Sequence, residues 1–248
     1  MKSFGLTDKG KVRKDNQDCF IIESCPAQSC LIAALCDGMG GENAGEIASA
    51  VSNKAFVSYI YGRLTSRTVK SVNYKEVIRN ACAEANGVAY EYSLFDKSYS
   101  GMGTTLVGGG IKSGGNGYII NVGDSRAYHI SKRANSIYQI TRDHSLVEEL
   151  VEAGAITKEQ AKLHPQKNVI TRALGSEPEV RPDYFEFTLQ PGDILLLCSD
   201  GLSNTVTDLE MLEYAKEYQD PELICRALMS KALIRGARDN VTVVAVMR

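Results

Sequence analysis

Three short, strongly apolar segments run almost directly into an aspartate, and this feature constrains the fold more than any other. The three pairs are residues 31–36 with Asp37, residues 118–122 with Asp124, and residues 194–198 with Asp200. Apolar runs of four to eight residues are typical of buried β-strands. A carboxylate beside such a strand is costly to bury alone, so we expect these acids to be paired, protonated or bound to metal.

Other segments complete the secondary structure. Runs rich in β-branched and aliphatic residues predict strands at 19–23, 29–36, 104–111, 118–121, 126–131, 185–189, 193–198 and 241–247. Apolar residues at helical spacing predict two long amphipathic helices, from Ala44 with its face at 47, 48, 51, 55 and 59, and from Tyr74. Capping signals predict shorter helices after Ser145, Thr157, Thr207 and Asp220, the last ending near Gly236.

Turn signals favour antiparallel sheets over a regular βαβ array. The glycine-rich stretch 113–117 and the Gly123-Asp124 pair each predict a hairpin connection. No repeat or linker divides the 248 residues, so we expect a single domain over residues 1–248. The expected fold is α+β, with sheets covered by helices in a layered sandwich.

Composition and missing motifs exclude several classes of protein. The formal net charge is −2, without the basic excess of a nucleic-acid binder. No run approaches the ~18 apolar residues of a membrane span and no signal peptide is evident, so we expect a cytoplasmic protein without membrane insertion. The seven cysteines include no C-x-x-C pair and are expected to be reduced thiols. Neither a P-loop nor a dinucleotide-binding fingerprint is present.

A fourth acid completes a candidate metal site. Asp239 precedes the apolar run 241–246, and in an antiparallel sheet the start of one strand lies beside the end of its neighbours. An all-carboxylate ligand set suits Mg²⁺ or Mn²⁺. The glycines after Asp37 and Asp200 permit a positive φ, which would leave the Gly38 carbonyl open to a metal. Two metals sharing a carboxylate would activate water and neutralise a phosphate. The residues alone are equally compatible with ordinary Asp-Gly turns.

The charged segment 13–18 lies just before the first predicted strand. Arg13 has the side chain to hold a phosphate through two parallel hydrogen bonds, and an adjacent acid could order metal-bound water. A solvated charged loop would have the same composition.

Taken in order, these motifs resemble the protein phosphatase 2C family of metal-dependent serine/threonine phosphatases (PPM), and its bacterial branch in particular. The matching motifs are TDKG at 7–10 with Arg13, NQD at 16–18, DGMGG at 37–41, GTT at 103–105, NVGDSR at 121–126, SDGL at 199–202 and DNVT at 239–242. The resemblance covers essentially the whole chain. It implies a four-layer α-β-β-α sandwich of two antiparallel sheets flanked by helices, with the metal centre in a cleft at one end.

The resemblance also implies a role for each motif residue. Asp37 would bridge two Mn²⁺ or Mg²⁺ ions, the Gly38 carbonyl would bind one of them, and Asp200 and Asp239 would bind the other. Asp124 with Asp200 would hold a third, weaker ion. Arg13 would hold the substrate phosphate, and Asp18 would order metal-bound water. Residues from about 145 to 174 correspond to a mobile flap subdomain that modulates substrate choice.

The implied activity is hydrolysis of phosphoserine and phosphothreonine in proteins, by direct attack of a hydroxide that bridges the metals. Bacterial members are typically paired with a membrane Ser/Thr kinase, so we expect a signalling enzyme that opposes one, and a monomer. Two alternatives remain: a catalytically silent regulator that binds phosphoproteins or metals, and a hydrolase of small phosphate esters.

Two departures from the family pattern bear on mechanism. Met39 stands where some relatives have a histidine thought to protonate the leaving group, and a thioether cannot be a general acid. Gln17 stands where many eukaryotic relatives have glutamate. We therefore hypothesise that metal-bound water, and no side-chain acid, protonates the leaving alkoxide.

Overall fold

A computed structural model describes residues 1–41, 44–66 and 73–248. The strands are β1 (Lys2–Asp8), β2 (Asp18–Cys25), β3 (Cys30–Met39), β4 (Gly103–Thr104), β5 (Leu106–Lys112), β6 (Asn116–Val122), β7 (Arg126–Ser131), β8 (Ser136–Gln139), β9 (Asp183–Thr188), β10 (Ile194–Cys198) and β11 (Val241–Met247). The α-helices are α1 (Ala44–Thr65), α2 (Tyr74–Phe95), α3 (Leu146–Glu152), α4 (Lys158–Leu163), α5 (Asp200–Ser203), α6 (Asp208–Glu217) and α7 (Pro221–Ile234). Each predicted strand and helix is present, with ends shifted by a few residues.

The strands form two antiparallel sheets. The first sheet has the order β1-β11-β10-β7-β8, and the second has the order β2-β3-β5-β6-β9, with β4 paired to β3. Leu35 and Val107 of the second sheet face Leu197 and Val244 of the first in a buried core between the sheets. The chain therefore stacks one sheet on the other, as expected for an aligned β-sandwich.

Helices cover both outer faces. Phe56 and Ile60 of α1, with Ile78 of α2, pack against the second sheet, whereas Met211 of α6 and Leu228 of α7 pack against the first sheet. The predicted four-layer α-β-β-α sandwich is confirmed. No helix in the described ranges is long and apolar enough to cross a membrane.

The buried face of α1 differs from the predicted one. It is centred on Ala48, Ser52, Phe56 and Ile60, so of the predicted positions 47, 48, 51, 55 and 59 Ala48 is fully buried and the other four are only half-buried. The difference arises because the face includes polar residues that an apolar pattern does not count. Asn53 is buried and donates through Nδ2 to the Cys19 carbonyl at 2.9 Å, which ties the helix to β2.

One of the two predicted hairpins is wrong. Residues 113–115 do join the antiparallel neighbours β5 and β6, with Gly115 at φ +90°. Gly123 and Asp124 instead join β6 of the second sheet to β7 of the first. The peptide groups of Gly123 bond to His144 instead of across a hairpin, and the chain passes between the sheets at this point.

Two edge strands are absent from the sequence predictions. β1 and β8 lie at the two edges of the first sheet and are only partly buried, so their apolar pattern is weak. Strand β1 pairs with β11 from Lys2 opposite Met247 to Asp8 opposite Val241. This register brings the loop after Asp8, which contains Arg13, to the edge where Asp239 lies.

Candidate active site

Strand register brings the predicted acidic residues to one end of the sandwich. Asp18 at the start of β2 lies opposite Asp37 near the end of β3. Asp200 follows β10, and Asp239 precedes β11, which is the antiparallel neighbour of β10. Asp124 follows β6 in the crossing between the sheets. The start of β11 lies beside the end of β10, so the prediction that Asp239 joins the same edge as Asp200 is confirmed, and the charges of the other four acids all act on Asp37.

The five carboxylates differ in exposure. Asp18 is buried, with 8% of its surface exposed, whereas the other four are partly exposed. Four acids are therefore accessible to solvent at this end of the sandwich, and Asp18 is buried more deeply than they are.

Asp18 of the second sheet is held by hydroxyl groups of the first. Its Oδ2 accepts from Ser199 Oγ at 2.8 Å and from Thr242 Oγ1 at 2.6 Å. Its Oδ1 is buried and has no hydrogen-bond partner among the described residues. Sequence reasoning assigned no role to Ser199 or Thr242, although a hydroxyl residue inside the apolar run 241–246 was a usable signal.

Two threonines fix the backbone of Asp37. The Asp37 amide donates to Thr105 Oγ1 at 3.0 Å, and its carbonyl accepts from the Thr105 amide and from Thr104 Oγ1, both at 2.9 Å. Thr105 Oγ1 also shares a hydrogen bond of 2.7 Å with Ser125 Oγ, next to Asp124. The GTT motif thus links the strand of Asp37 to the crossing that carries Asp124.

The glycines after Asp37 and Asp200 are required by close packing. The suggested positive φ is wrong for both, because Gly38 and Gly201 are not among the glycines with that conformation. A Cβ on Gly38 would lie 2.0 Å from the Gly45 carbonyl oxygen, and one on Gly201 would lie 2.0 Å from that of Asn240. Only a residue without a side chain allows β3 to pass so close to the start of α1.

Arg13 forms a two-bond ion pair with Asp239. Arg13 Nε lies 2.9 Å from Asp239 Oδ1, and Nη2 donates to Oδ2 at 2.9 Å. The side chain of Asn240 binds the loop that contains Arg13. Its Nδ2 donates to the carbonyls of Lys9 and Asp15, and its Oδ1 accepts from the Gln17 amide. The structure thereby brings the predicted phosphate-binding arginine to the acidic cluster.

Burial, together with crowding of like charges, raises the pKa values of four of these acids, Asp18, Asp37, Asp124 and Asp200. Burial, followed by the charges of Asp18 and Asp200, raises the pKa of Asp37 well above its usual range. Burial is also the main cause that raises the pKa of Asp18 to about 6 and of Asp200 to about 6. Burial and the charge of Asp200 raise the pKa of Asp124 to about 7. The acids of the site therefore carry more negative charge than the neighbouring cationic side chains neutralise.

The three histidines, all of which lie in the described part of the chain, have hydrogen-bond partners other than Met39 or the five acids of the cluster. Met39 packs over Gly103, where an added Cβ would lie 2.7 Å from its Cε. His129 is buried on β7 and bonds Asp193 at 2.8 Å, and His144 is buried beside Gly123. His164 accepts from the Gln166 amide.

The residues present fit small, hard cations. Every candidate ligand is an oxygen, the acids destabilise one another, and Asp18 Oδ1 is a buried acceptor without a donor. Among the described residues, no three acidic, histidine or cysteine side chains already converge into a closed metal-ligand set.

An α-β-β-α sandwich with carboxylates and an arginine at one end is the arrangement of a class of phosphoester hydrolases. Comparison with known proteins identifies the family within that class. The sequence pattern of protein phosphatase 2C matches residues 9–231. The serine/threonine phosphatase stp of Listeria monocytogenes is 37% identical over 243 residues, which are 98% of this chain and 94% of that protein. The chain belongs to the protein phosphatase 2C family, and it is a serine/threonine phosphatase.

Solved structures agree with this assignment. The crystal structure of Stp1 from Staphylococcus aureus has a TM-score of 0.89 and 36% identity, and the match covers 99% of this chain and 94% of that one. The catalytic domain of the serine/threonine protein phosphatase PstP, solved in complex with two manganese ions, has a TM-score of 0.82 and 31% identity over 98% of this chain and 96% of that one.

Proposed function

We propose that the protein is a metal-dependent phosphatase that hydrolyses phosphoserine and phosphothreonine in proteins by direct attack of hydroxide, without a phosphoenzyme. The proposal rests on the cluster of five aspartates. Arg13 lies beside this cluster and forms an ion pair with one of them, Asp239. The manganese complex of PstP supports Mn²⁺ as a cofactor.

We assign the ions to particular residues as the resemblance to the family implies. Asp37 and the Gly38 carbonyl would hold one ion, and Asp37, Asp200 and Asp239 would hold a second. Asp124 with Asp200 would hold a third and weaker ion. When bound, such ions supply hydroxide near neutral pH, by lowering the pKa of water from about 15.7, and neutralise the charge of the phosphoryl group.

Two residues, Arg13 and Asp18, act on the substrate side of this site, and Met39 supplies no proton. Arg13 binds the phosphoryl oxygens through its two parallel donors, the same two that now bond Asp239. Asp18 orders the attacking water through its unpartnered Oδ1, because Ser199 and Thr242 already hold its Oδ2. Met39 donates no proton, so the leaving alkoxide takes its proton from water.

The biological setting is part of the proposal. We infer one phosphatase domain over residues 1–248, with a flap at residues 145–174 that contributes to substrate choice, acting as a monomer in opposition to a Ser/Thr protein kinase. A cytoplasmic location is supported by the seven cysteines, all of which are free thiols.

Phosphate release from a phosphothreonine peptide tests the enzyme class. Activity should be absent in EDTA, restored by Mn²⁺ or Mg²⁺, and lost by at least about a thousandfold in Asp37→Asn. Asp96→Asn is the matched control, because Asp96 is an exposed helix cap and asparagine also caps helices. Activity in EDTA, or wild-type turnover of Asp37→Asn at saturating Mn²⁺, would contradict the proposal.

The same assay separates the alternatives. A protein phosphatase should hydrolyse the phosphopeptide far faster than free phosphoserine, whereas a hydrolase of small phosphate esters would show the reverse. A folded protein without activity in any metal would be a silent regulator.

A further inference from the structure

The crossing between β6 and β7, which carries Asp124, is bound by one buried histidine. The Gly123 amide donates to His144 Nδ1 at 3.1 Å, and the His144 amide donates to the Gly123 carbonyl at 2.9 Å. Asn121 Nδ2 donates to the same carbonyl at 3.1 Å. Both peptide groups of Gly123 are therefore bonded, one residue before Asp124.

Gly123 has a conformation that depends on these bonds. Its φ is +99°, in the left-handed region, and an added Cβ would lie 2.6 Å from Thr105 Cγ2. Glycine adopts many other conformations at little cost, so the backbone alone does not select this one. The bonds from His144 select it and thus set the direction in which Asp124 leaves the turn.

The ring of His144 is held in a single tautomer. Because Nδ1 accepts a hydrogen bond from an amide, the proton of the neutral ring is on Nε2. Nε2 lies 3.2 Å from Asp183 Oδ2, which accepts that proton. Arg172 Nη1 is also 3.2 Å from Nε2, but its protons have acceptors in the Arg181 carbonyl and Asp183 Oδ1. Arg172 Nη1 bonds the other oxygen of Asp183 at 3.1 Å, and burial lowers the pKa of His144, which favours the neutral ring.

The chain that follows Asp124 is also held by a residue next to His144. Arg126 Nε and Nη2 bond the carboxylate of Asp143, with the shortest distance 2.6 Å from Nη2 to Oδ2. Asp143 and His144 are consecutive residues that directly precede the segment 145–174. The residues on both sides of Asp124 are therefore bound to one short stretch of chain.

We propose that His144 is a positioning residue for Asp124, acting through Gly123 on the weakest of the metal ions. This inference rests on the proposed function, since it requires a metal ion at Asp124. His144 does not bind substrate or metal. Loss of its bond to Gly123 frees the turn and weakens only the ion at Asp124, leaving the ions at Asp37 and Asp239.

Two substitutions test the hydrogen bonds of the two ring nitrogens separately. In His144→Asn, the amide oxygen lies near the position of Nδ1 and can still accept from Gly123, but the side chain is too short to reach Asp183. In His144→Gln, the amide lies near the position of Nε2 and can still bond Asp183, but it offers Gly123 no acceptor at the place of Nδ1. A purely structural role predicts that both variants behave alike.

His129→Gln is the matched control. His129 is also buried and bonds an aspartate, Asp193, through Nε2 at 2.8 Å. It lies on β7 opposite Leu195 of β10, away from the end of that strand that leads to Asp200. Its replacement should lower stability without changing Mn²⁺ binding.

Two measurements give the expected result. In metal-free protein, the Gly123 amide should exchange with solvent at least about tenfold faster in His144→Gln than in wild type, and within about threefold of wild type in His144→Asn. In Mn²⁺ titration calorimetry, the dissociation constant of the weakest ion should rise about tenfold in His144→Gln alone. The tighter ions should be unchanged in all variants.

Several outcomes would overturn the inference. They are equal Gly123 exchange in His144→Gln and wild type, equal weakening of Mn²⁺ binding by both His144 variants, or a protonated Nδ1 in the ¹⁵N spectrum of the wild-type ring. The spectrum needs no variant and decides the question if His144→Gln does not fold. Wild-type protein that shows metal-dependent phosphatase activity but binds no ion dependent on Asp124 would overturn this inference and leave the proposed function intact.

Discussion

Arg13 and Asp239, 226 positions apart in the sequence, form a two-bond ion pair at the edge of the aspartate cluster, with both nitrogen–oxygen distances at 2.9 Å. The pair joins the residue that we propose for phosphate binding to one that we propose for metal binding. Both side chains are partly exposed, so the pair is open to exchange with ions from solvent. In the proposed site, Arg13 and a metal ion would therefore compete for Asp239, and metal binding would free Arg13 for the substrate.

Arg13→Ala should separate these two effects. We expect kcat/KM for a phosphothreonine peptide to fall by at least about tenfold, because charge-assisted hydrogen bonds to the phosphate are lost. Mn²⁺ affinity, measured by calorimetry, should rise, because Asp239 loses its competing cation. Lys14→Ala removes an equal charge from the same loop and should change kcat/KM far less. A fall in Mn²⁺ affinity in Arg13→Ala would contradict the competition.

Stability of the metal-free protein should fall as pH rises. The pKa of Asp124 is raised to about 7 and that of Asp37 lies well above its usual range, so the folded state binds protons that the unfolded chain has lost above about pH 4. Stability linked to these protons is lost as pH rises through the folded pKa values. In EDTA, the melting temperature should therefore decrease between pH 6 and pH 8.5.

Asp37→Asn and Mn²⁺ provide the controls for this pH dependence. Asp37→Asn removes one of the repelling charges, so its melting temperature at pH 8 in EDTA should exceed that of wild type by a few degrees, at roughly 2–4 °C per kcal/mol. Added Mn²⁺ should stabilise wild type more at pH 8 than at pH 6, because ligands must be deprotonated to bind. A wild-type protein more stable at pH 8.5 than at pH 6 in EDTA would argue against the charge cluster.

Gly38→Ala should destabilise the protein strongly. Its Cβ would lie 2.0 Å from the Gly45 carbonyl oxygen and 2.7 Å from that of Gln17, so β3 and α1 must move apart at a cost of about 2–4 kcal/mol. Gly62→Ala is the control within α1, where nothing lies within 4 Å of the added Cβ, and it should stabilise by about 0.5–1 kcal/mol. Chemical denaturation gives both values, and equal effects would show that the close approach at Gly38 is not as described.

Met39→His tests how the leaving group is protonated. If no side chain supplies that proton in the natural enzyme, an imidazole at this position should raise turnover and add a titration near pH 6–7 to the pH profile. The profile of kcat between pH 5.5 and pH 9 measures this directly. A profile identical to that of wild type would weaken the hypothesis that this enzyme has no side-chain acid.

The position of the acids was predictable because it follows from strand geometry alone. Each of Asp37, Asp124 and Asp200 comes at the end of an apolar run, and Asp239 comes before one, so antiparallel pairing brings them to one edge. The layered α+β architecture followed from the same runs and from the helical periodicity at 74–95.

Contacts between distant residues were not predictable from the sequence. The hydroxyls of Ser199 and Thr242 bond Asp18 from the opposite sheet, and the sequence around Asp18 does not predict these contacts. The face of α1 was misplaced because Asn53 is buried by hydrogen bonds to strand carbonyls. Gly123 was assigned to a hairpin because its contact with His144, 21 residues away, is invisible in a turn pattern.

The aspartate cluster is the proposed metal centre of the phosphatase. The most direct test is a crystal structure grown with Mn²⁺, in which anomalous scattering locates the ions. We predict manganese peaks at coordination distance, about 2.1 Å, from Asp37, the Gly38 carbonyl and Asp239, with the Arg13–Asp239 ion pair broken. If crystals of enzyme that Mn²⁺ activates show manganese peaks only elsewhere on the protein, the aspartate cluster is not the metal centre.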